Sequence, residues 1–155
     1  MIATTHLHMT HIISYESINK IAFGVQEPCV IAVFGTPERR THNRAGDQEL
    51  HYPGIILRHE APSGALREVT LLPGCNGTIN GIAILWTTEF LDWLAVEDTE
   101  LQECVGFVVS LKLGIMVSGF HDDDESQKAI HVFRKGDMDV LADKMRSFFW
   151  KGTKL

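Results

Sequence analysis

The residues best suited to chemistry are the histidines near the start of the chain. The segment "THLHMTHIIS" places His6, His8 and His11 within six positions, and imidazole is a common ligand of zinc. Because the segment alternates in part and ends in β-branched residues, it predicts a β-strand. Successive side chains of a strand point to opposite faces, so His6 and His8 share one face and His11 lies on the other. At most two of the three imidazoles can therefore act together.

A zinc ion would need at least a third protein ligand. The candidates are His121, Asp122 and Asp124, which follow a predicted strand. A metal-dependent hydrolase that activates water at His6 and His8, with one of these aspartates, is therefore the alternative hypothesis. The spacing gives no closed set of ligands, so we expect neither a bound metal nor another cofactor.

The signatures of other catalytic classes are incomplete. "HMT" at His8 resembles half of the signature of two-histidine phosphoesterases, but no other histidine begins the second copy that this family requires. "GALREV" at 64–69 resembles the middle of a Nudix box, yet "TLLPG" follows it in place of the metal-binding glutamates. Neither a glycine-rich phosphate loop nor a nucleophile elbow is found. The sequence therefore favours a protein that is not an enzyme.

Charge is unevenly distributed along the chain. The net charge is −6, and ten acidic residues but one basic residue, Lys112, lie between Glu89 and Glu125. A run of four acids within this stretch is either a solvated turn or a surface that docks on basic groups of a partner. Calcium is a further option, although the run lacks the spacing of an EF-hand loop. The acidic balance argues against binding to nucleic acid.

A second candidate surface lies in the polar segment 36–53, which has no clear period and is predicted to be a long loop. Loops of this length are usually functional or disordered. Guanidinium groups suit carboxylates, phosphates and aromatic faces, and they are enriched at protein interfaces. We predict a partner-binding surface, with a protein as the partner, formed by two groups of residues: Arg39, Arg40, His42 and Arg44 of this loop, and Asp122, Asp123, Asp124 and Glu125 of the acidic run.

The elements that position these residues are predicted from apolar periodicity and turn residues. Helices are predicted at 14–24, 87–103 and 136–152. Strands are predicted at 6–13, 29–34, 54–61, 65–72, 78–86, 104–113, 114–120 and 128–136. The order β-α-β-β-β-β-α-β-β-β-α indicates an α+β fold, with a mainly antiparallel sheet of about seven or eight strands and about three helices.

Length and composition indicate a single globular domain over residues 1–155. We see no signal peptide, and the most apolar stretch, 105–120, contains Lys112 and is short for a membrane helix. Three widely spaced cysteines favour buried, reduced thiols. We therefore expect a small cytoplasmic, non-enzymatic binding protein that does not enter membranes, an inhibitor of the immunity or anti-defence type being one form it could take.

Overall fold

The structure, a computed structural model, describes residues 9–150 and has an α+β fold with two sheets. In chain order the elements are β1 (Thr10–Ile13), β2 (Ser17–Ile18), β3 (Ile21–Ala22), α1 (Glu27–Phe34), β4 (Arg39–His42), β5 (Gln48–Tyr52), β6 (Ile55–His59), β7 (Leu66–Leu71), β8 (Gly77–Ile79), β9 (Ile82–Ala83), α2 (Glu89–Glu97), β10 (Gln102–Cys104), β11 (Phe107–Ser110), β12 (Ile115–Ser118), β13 (Ala129–Phe133) and β14 (Arg146–Ser147). Short 3-10 segments lie at Glu125–Gln127 and Asp139–Lys144.

The larger sheet has nine strands in the order β14-β10-β11-β12-β13-β7-β6-β5-β4, all paired antiparallel. The smaller sheet has five strands in the order β3-β2-β1-β8-β9. Within the smaller sheet, β1 and β8 pair in parallel, and the other pairs are antiparallel.

One face of the nine-stranded sheet, the inner face, carries the main core. Alternate residues of its central strands, such as Leu57, Val69 and Val132, are fully buried there. They belong to one apolar cluster with Val30 of α1, the buried face of α2, and isoleucines of the five-stranded sheet. The opposite face, the outer face, is covered in part by the chain after β13, where Met138 joins a second, smaller cluster.

The sequence correctly predicted the strands that build the centre of the larger sheet. The predicted strands at 54–61, 65–72, 114–120 and 128–136 contain β6, β7, β12 and β13, and the predicted helix at 87–103 contains α2. The α+β class and the mainly antiparallel pairing are also as predicted.

Several predicted elements were wrong. The helix predicted at 14–24 is a hairpin of β2 and β3, and the strand predicted at 29–34 lies in α1. The loop predicted at 36–53 contains β4 and β5. Up to residue 150, where the described part ends, the helix predicted at 136–152 is instead a 3-10 segment followed by β14. Cys29, which we expected to be buried, is exposed on α1.

Two strands predicted as continuous are each divided by a tight turn. The segment 78–86 turns at Asn80 and Gly81, between β8 and β9, and the segment 104–113 turns at Val105 and Gly106, between β10 and β11. All four turn residues have positive φ. Among residues 9–150, neither helix is long and apolar enough to cross a membrane.

Candidate functional site

The four basic residues of the predicted loop lie on and beside an edge strand. β4 contains Arg39, Arg40 and His42, and Arg44 follows in the turn to β5. Among the described strands β4 pairs with β5 alone, since it is the last strand in the order of the larger sheet. All four side chains are exposed. The larger sheet therefore presents a basic edge.

The backbone of β4 has hydrogen-bonding groups that face away from the sheet. Asn43 donates its N–H to the carbonyl of Asp47 at 3.2 Å, which makes these residues a hydrogen-bonded pair of the antiparallel ladder. Such pairs recur at every second residue, so the N–H and C=O of Thr41 point toward β5. Those of Arg40 and His42 consequently point outward, along the free edge.

The guanidinium groups of this edge differ in what they contact. Arg40 Nη1 donates to Glu27 Oε1 at 2.7 Å, which ties β4 to the first turn of α1. Within residues 9–150, neither Arg39 nor Arg44 makes a hydrogen bond or an ion pair through its side chain. These two positive charges are therefore uncommitted and exposed.

The turn that carries Arg44 is held by its own side chains. Asn43 Oδ1 accepts from the N–H of Asp47 at 2.9 Å, and Asn43 Nδ2 donates to Asp47 Oδ2 at 3.1 Å. Asp47 is buried, and Arg67 Nη1 approaches its carboxylate at 3.4 Å. Gly46 has a φ of 88°, a left-handed conformation that glycine adopts without steric cost. Arg44 therefore extends from a structured turn.

The four consecutive acids are largely committed to contacts within the chain. The Nζ of Lys128, a buried residue, donates to Asp123 Oδ1 at 2.9 Å and to Glu125 Oε1 at 3.0 Å. Hydrogen bonding with Asp123 raises the pKa of Lys128, which therefore stays charged. Asp124 caps the 3-10 segment that follows it. Within the described part of the chain, Asp122 alone of the four has no hydrogen bond or ion pair through its carboxylate.

The acidic run and the basic edge are far apart. The acidic run precedes β13, and β7, β6 and β5 lie between β13 and β4. Four strand spacings of about 4.8 Å place β13 and β4 about 19 Å apart. The register also puts the acidic run at the end of the sheet where β5 turns into β6, whereas the turn of Arg44 lies at the other end. The two groups do not form one continuous surface.

The metal-site hypothesis gains no support from the described residues. His6 and His8 lie outside the part of the chain that the structure describes. His121 is exposed, and its ring meets that of Phe148 edge-on, with centroids 6.4 Å apart. Within residues 9–150, no group of three or more histidine, cysteine, aspartate or glutamate side chains is placed to hold a metal ion.

A cleft beside the basic edge was not predicted from the sequence. It has a volume of about 210 Å³ and lies between the start of α1, the inner-face end of β4, β5 and β6, and the turn after β6. The register aligns His42, Gln48 and His59 side by side on three neighbouring strands, where they line the cleft together with Glu27 and Glu60. We call it the His59 cleft. His42 is its only lining residue that the sequence had marked.

The outer face carries a polar network that the sequence also did not reveal. Arg58 Nε donates to Glu49 Oε2 at 2.7 Å, and Arg58 Nη1 lies 3.3 Å from Glu68 Oε2. His131 Nδ1 lies 3.2 Å from the same oxygen of Glu68 and 2.8 Å from Thr70 Oγ1. Adjacent strands supply these residues, so cross-strand register brings them together.

The geometry of this network does not match a hydrolytic triad. In a triad, the hydroxyl and the carboxylate contact different nitrogens of the imidazole. Here Thr70 and Glu68 both approach Nδ1 of His131. Burial raises the pKa of Glu68, but hydrogen bonding with His131 and the charge of Arg58 outweigh burial and hold that pKa below its ordinary value. The network is thus a set of cross-strand contacts around the ionised carboxylate of Glu68.

Comparisons with known proteins identify no relative of this chain. No family model, no curated protein and no solved structure matches it.

Proposed function

We propose that this protein is a non-enzymatic binding protein that holds an acidic, extended segment of a partner protein against β4. One observation carries the proposal. β4 is an edge strand, and the exposed guanidinium groups of Arg39 and Arg44 have no ion pair or hydrogen bond among the described residues. Positive charges beside an edge strand with free backbone N–H and C=O groups favour the binding of a negatively charged strand.

Strand addition explains how such a segment would be held. A partner strand beside β4 can pair with the outward N–H and C=O groups of Arg40 and His42, because strand addition uses the same ladder as the sheet itself. Carboxylates on that segment can accept paired hydrogen bonds from the guanidinium groups. The same arginines repel a second copy of β4, since like charges across an interface are unfavourable. The edge therefore selects against self-pairing.

The basic edge contributes more to this proposal than the acidic run does. Asp123 and Glu125 already engage Lys128, and a partner's cation would have to replace that contact. Asp122 remains open to a basic group of the partner. Recognition by the acidic run, a cytoplasmic location, and a role as an inhibitor of the immunity or anti-defence type stay predictions.

Charge reversal tests the proposal. The partner is first captured from the native host with the wild-type chain and identified by mass spectrometry, and its affinity is then measured with purified proteins. We expect the double variant Arg39→Glu/Arg44→Glu to weaken binding by about 100-fold at low salt, since the variant repels the acidic groups that the wild type attracts. Raising the salt concentration should weaken wild-type binding, because exposed charges are screened.

The matched control is Lys20→Glu/Lys144→Glu, which changes the net charge equally at two exposed positions away from β4. Both double variants should keep the wild-type melting temperature. If the arginine variant binds as tightly as the lysine variant, the partner does not dock on this edge and the proposal fails.

A further inference from the structure

The two sides of β4 present different charges to a strand that docks beside it. Leu50, the register partner of Arg40, belongs to the main core, so Arg40 and His42 lie on the inner face of the larger sheet. Arg39 and Thr41 alternate with them and lie on the outer face. A strand added beside β4 continues the alternation of the sheet, so each of its side chains meets one side only.

On the outer side of β4, one positive charge has no counterpart. Arg39 is exposed, and its guanidinium group makes no ion pair or hydrogen bond among residues 9–150. Glu49, one strand further into the sheet, is already engaged by Thr41 and Arg58. Burial and the charge of Arg39 lower the pKa of His51, the register partner of Arg39, so this imidazole is uncharged at neutral pH. A carboxylate that arrives on this side therefore meets a free guanidinium group.

On the inner side of β4, the positive charge is already neutralised. Arg40 Nη1 donates to Glu27 Oε1 at 2.7 Å, and Gln48 donates to the other carboxylate oxygen of Glu27. Glu27 lies in the first turn of α1. A carboxylate of a docked strand on this side would compete with Glu27 for Arg40, and the charge of Glu27 would repel it. An uncharged side chain meets neither difficulty.

We infer that the segment docked on β4 carries acidic side chains on alternate residues, all facing the outer side, with uncharged side chains between them. This pattern rests on the proposed docking at β4, and it specifies the class of segment that the edge selects. It applies to parallel and antiparallel docking alike, since successive side chains of a strand point to opposite faces in both. Arg44 lies beyond β4 in the turn, so strand alternation assigns it to neither side.

Two octapeptides with acetylated and amidated ends, each made of four glutamates and four threonines, test this pattern. In the first, glutamate alternates with threonine, so all the carboxylates share one face of a strand. In the second, the glutamates occur in adjacent pairs, so the carboxylates divide equally between the two faces. We expect the full-length protein to bind the alternating octapeptide about five-fold more tightly at low salt, the upper end for one exposed ion pair. NMR titration gives both dissociation constants.

Two matched variants assign the preference to one side of β4. Arg39→Gln and Arg40→Gln each remove one positive charge, at neighbouring residues on opposite faces. The difference between the two octapeptides should disappear in Arg39→Gln, because the free guanidinium group is lost. It should persist or increase in Arg40→Gln, because the released carboxylate of Glu27 repels acidic side chains on the inner side. Melting temperatures check that both variants fold, and the partly exposed Arg40–Glu27 pair should contribute little to stability.

The alternating pattern is overturned if the wild type binds both octapeptides equally, or if the preference is lost in Arg40→Gln and kept in Arg39→Gln. Partner binding by Arg39→Glu/Arg44→Glu tests docking separately. Equal binding of the octapeptides, with partner binding lost in that double variant, removes the alternation and leaves docking at β4 intact. Retained partner binding in that double variant removes docking itself. If neither octapeptide binds the wild type, the edge does not hold an isolated strand, and both proposals fail.

Discussion

Lys128 is a buried cation whose three donors are all used. It donates to the carbonyl of Trp86 as well as to Asp123 and Glu125. We expect Lys128→Met to lower the free energy of unfolding by about 1–3 kcal/mol, the range for losing hydrogen bonds to charged groups. The cost is not larger because Asp123 and Glu125 are mostly exposed and can return to water.

Urea unfolding at neutral pH measures this change, and Lys144→Met, at an exposed lysine, is the control. The pH dependence of the unfolding free energy provides a second test. Because the pKa of Lys128 is raised in the folded state by hydrogen bonding with Asp123, its stabilising effect is complete below the ordinary lysine pKa and is lost as the pH rises through the raised value. Equal stability of Lys128→Met and wild type would show that the contacts of Lys128 make no net contribution to the free energy of unfolding.

For the outer-face glutamates Glu49 and Glu68 we predict the opposite pH dependence of stability, with the loss occurring in acid. Burial raises the pKa of Glu49, but hydrogen bonds from Thr41 and Arg58 outweigh it and lower that pKa, as similar contacts do for Glu68. A lowered folded-state pKa stabilises the protein above the ordinary glutamate pKa, and this contribution is lost as the pH falls through the folded value. Glu49→Gln/Glu68→Gln should therefore be less stable at neutral pH and should lose less stability on acidification.

Unfolding free energies measured from pH 7 downward test this expectation, with Glu16→Gln as a control outside the network. If the unfolding free energy of the double variant falls on acidification as steeply as that of the wild type, the expectation is contradicted.

Sequence reasoning missed the network because Glu49, Glu68 and His131 are far apart in the chain. Only the register of β5, β6, β7 and β13 makes them neighbours.

At the scale of single elements, the misread segments have physical explanations. The apolar run "CVIAVF" fits a buried strand and a packed helix equally, since periodicity alone does not separate them. The available signal was Pro28, which lies in the first turn of α1, a position that favours proline because its missing N–H has no helical partner. Strands with a largely apolar inner face, such as β6 and β7, were easier to predict.

The hairpins follow from backbone conformation that an apolar pattern does not show. Asn80 and Gly81 have φ values of 51° and 87°, and Asn-Gly is the preferred pair for such a two-residue turn. This turn was predictable. Asn19 and Lys20 adopt 48° and 69° between β2 and β3, and lysine is a poor predictor of positive φ. The polar segment 36–53 escaped recognition because the outer sides of β4 and β5 are themselves polar.

The ladder direction of β4 can be tested by amide exchange. If Thr41 donates inward to β5, its N–H should exchange at least about ten-fold more slowly than those of Arg40 and His42, which point to solvent. NMR exchange measurements on the free protein give these rates. Addition of the docked partner should then slow the exchange of Arg40 and His42 selectively. Protection of Arg40 and His42 in the free protein would show that the edge is already covered.

At the scale of the whole molecule, the topology decides which charges can act together. The acidic run and the arginines look alike in the sequence, as two polar groups of one surface, but the fold separates them by three strands and directs them to different ends of the larger sheet. Conversely, the fold joins His42 and His59, which no sequence pattern connects, in one cleft. The site depends on the order of strands that are far apart in the chain. No local sequence pattern predicts that order.

The two sheets share one core, and the five-stranded sheet is held together by the parallel pairing of β1 with β8. Gly77 pairs with Thr10, and a Cβ at Gly77 would overlap the carbonyl oxygen of Thr10. Backbone cannot retreat as a flexible side chain can, so we expect Gly77→Ala to push β1 and β8 apart and to cost about 2–4 kcal/mol of unfolding free energy, at the upper end for overpacking.

Gly74→Ala provides the contrast that isolates this effect. Gly74 has a φ of 97°, and a Cβ added to it would meet no atom within 4 Å, so alanine there bears only the conformational cost of about 1–2 kcal/mol. Gly77 has no positive φ, so its cost is one of contact alone. Urea unfolding gives both values, and amide exchange at Thr10 and Ile12 reports the pairing directly. If Gly77→Ala unfolds no more easily than Gly74→Ala and β1 stays protected, then β1 and β8 do not meet this closely, and the five-stranded sheet does not depend on their close contact.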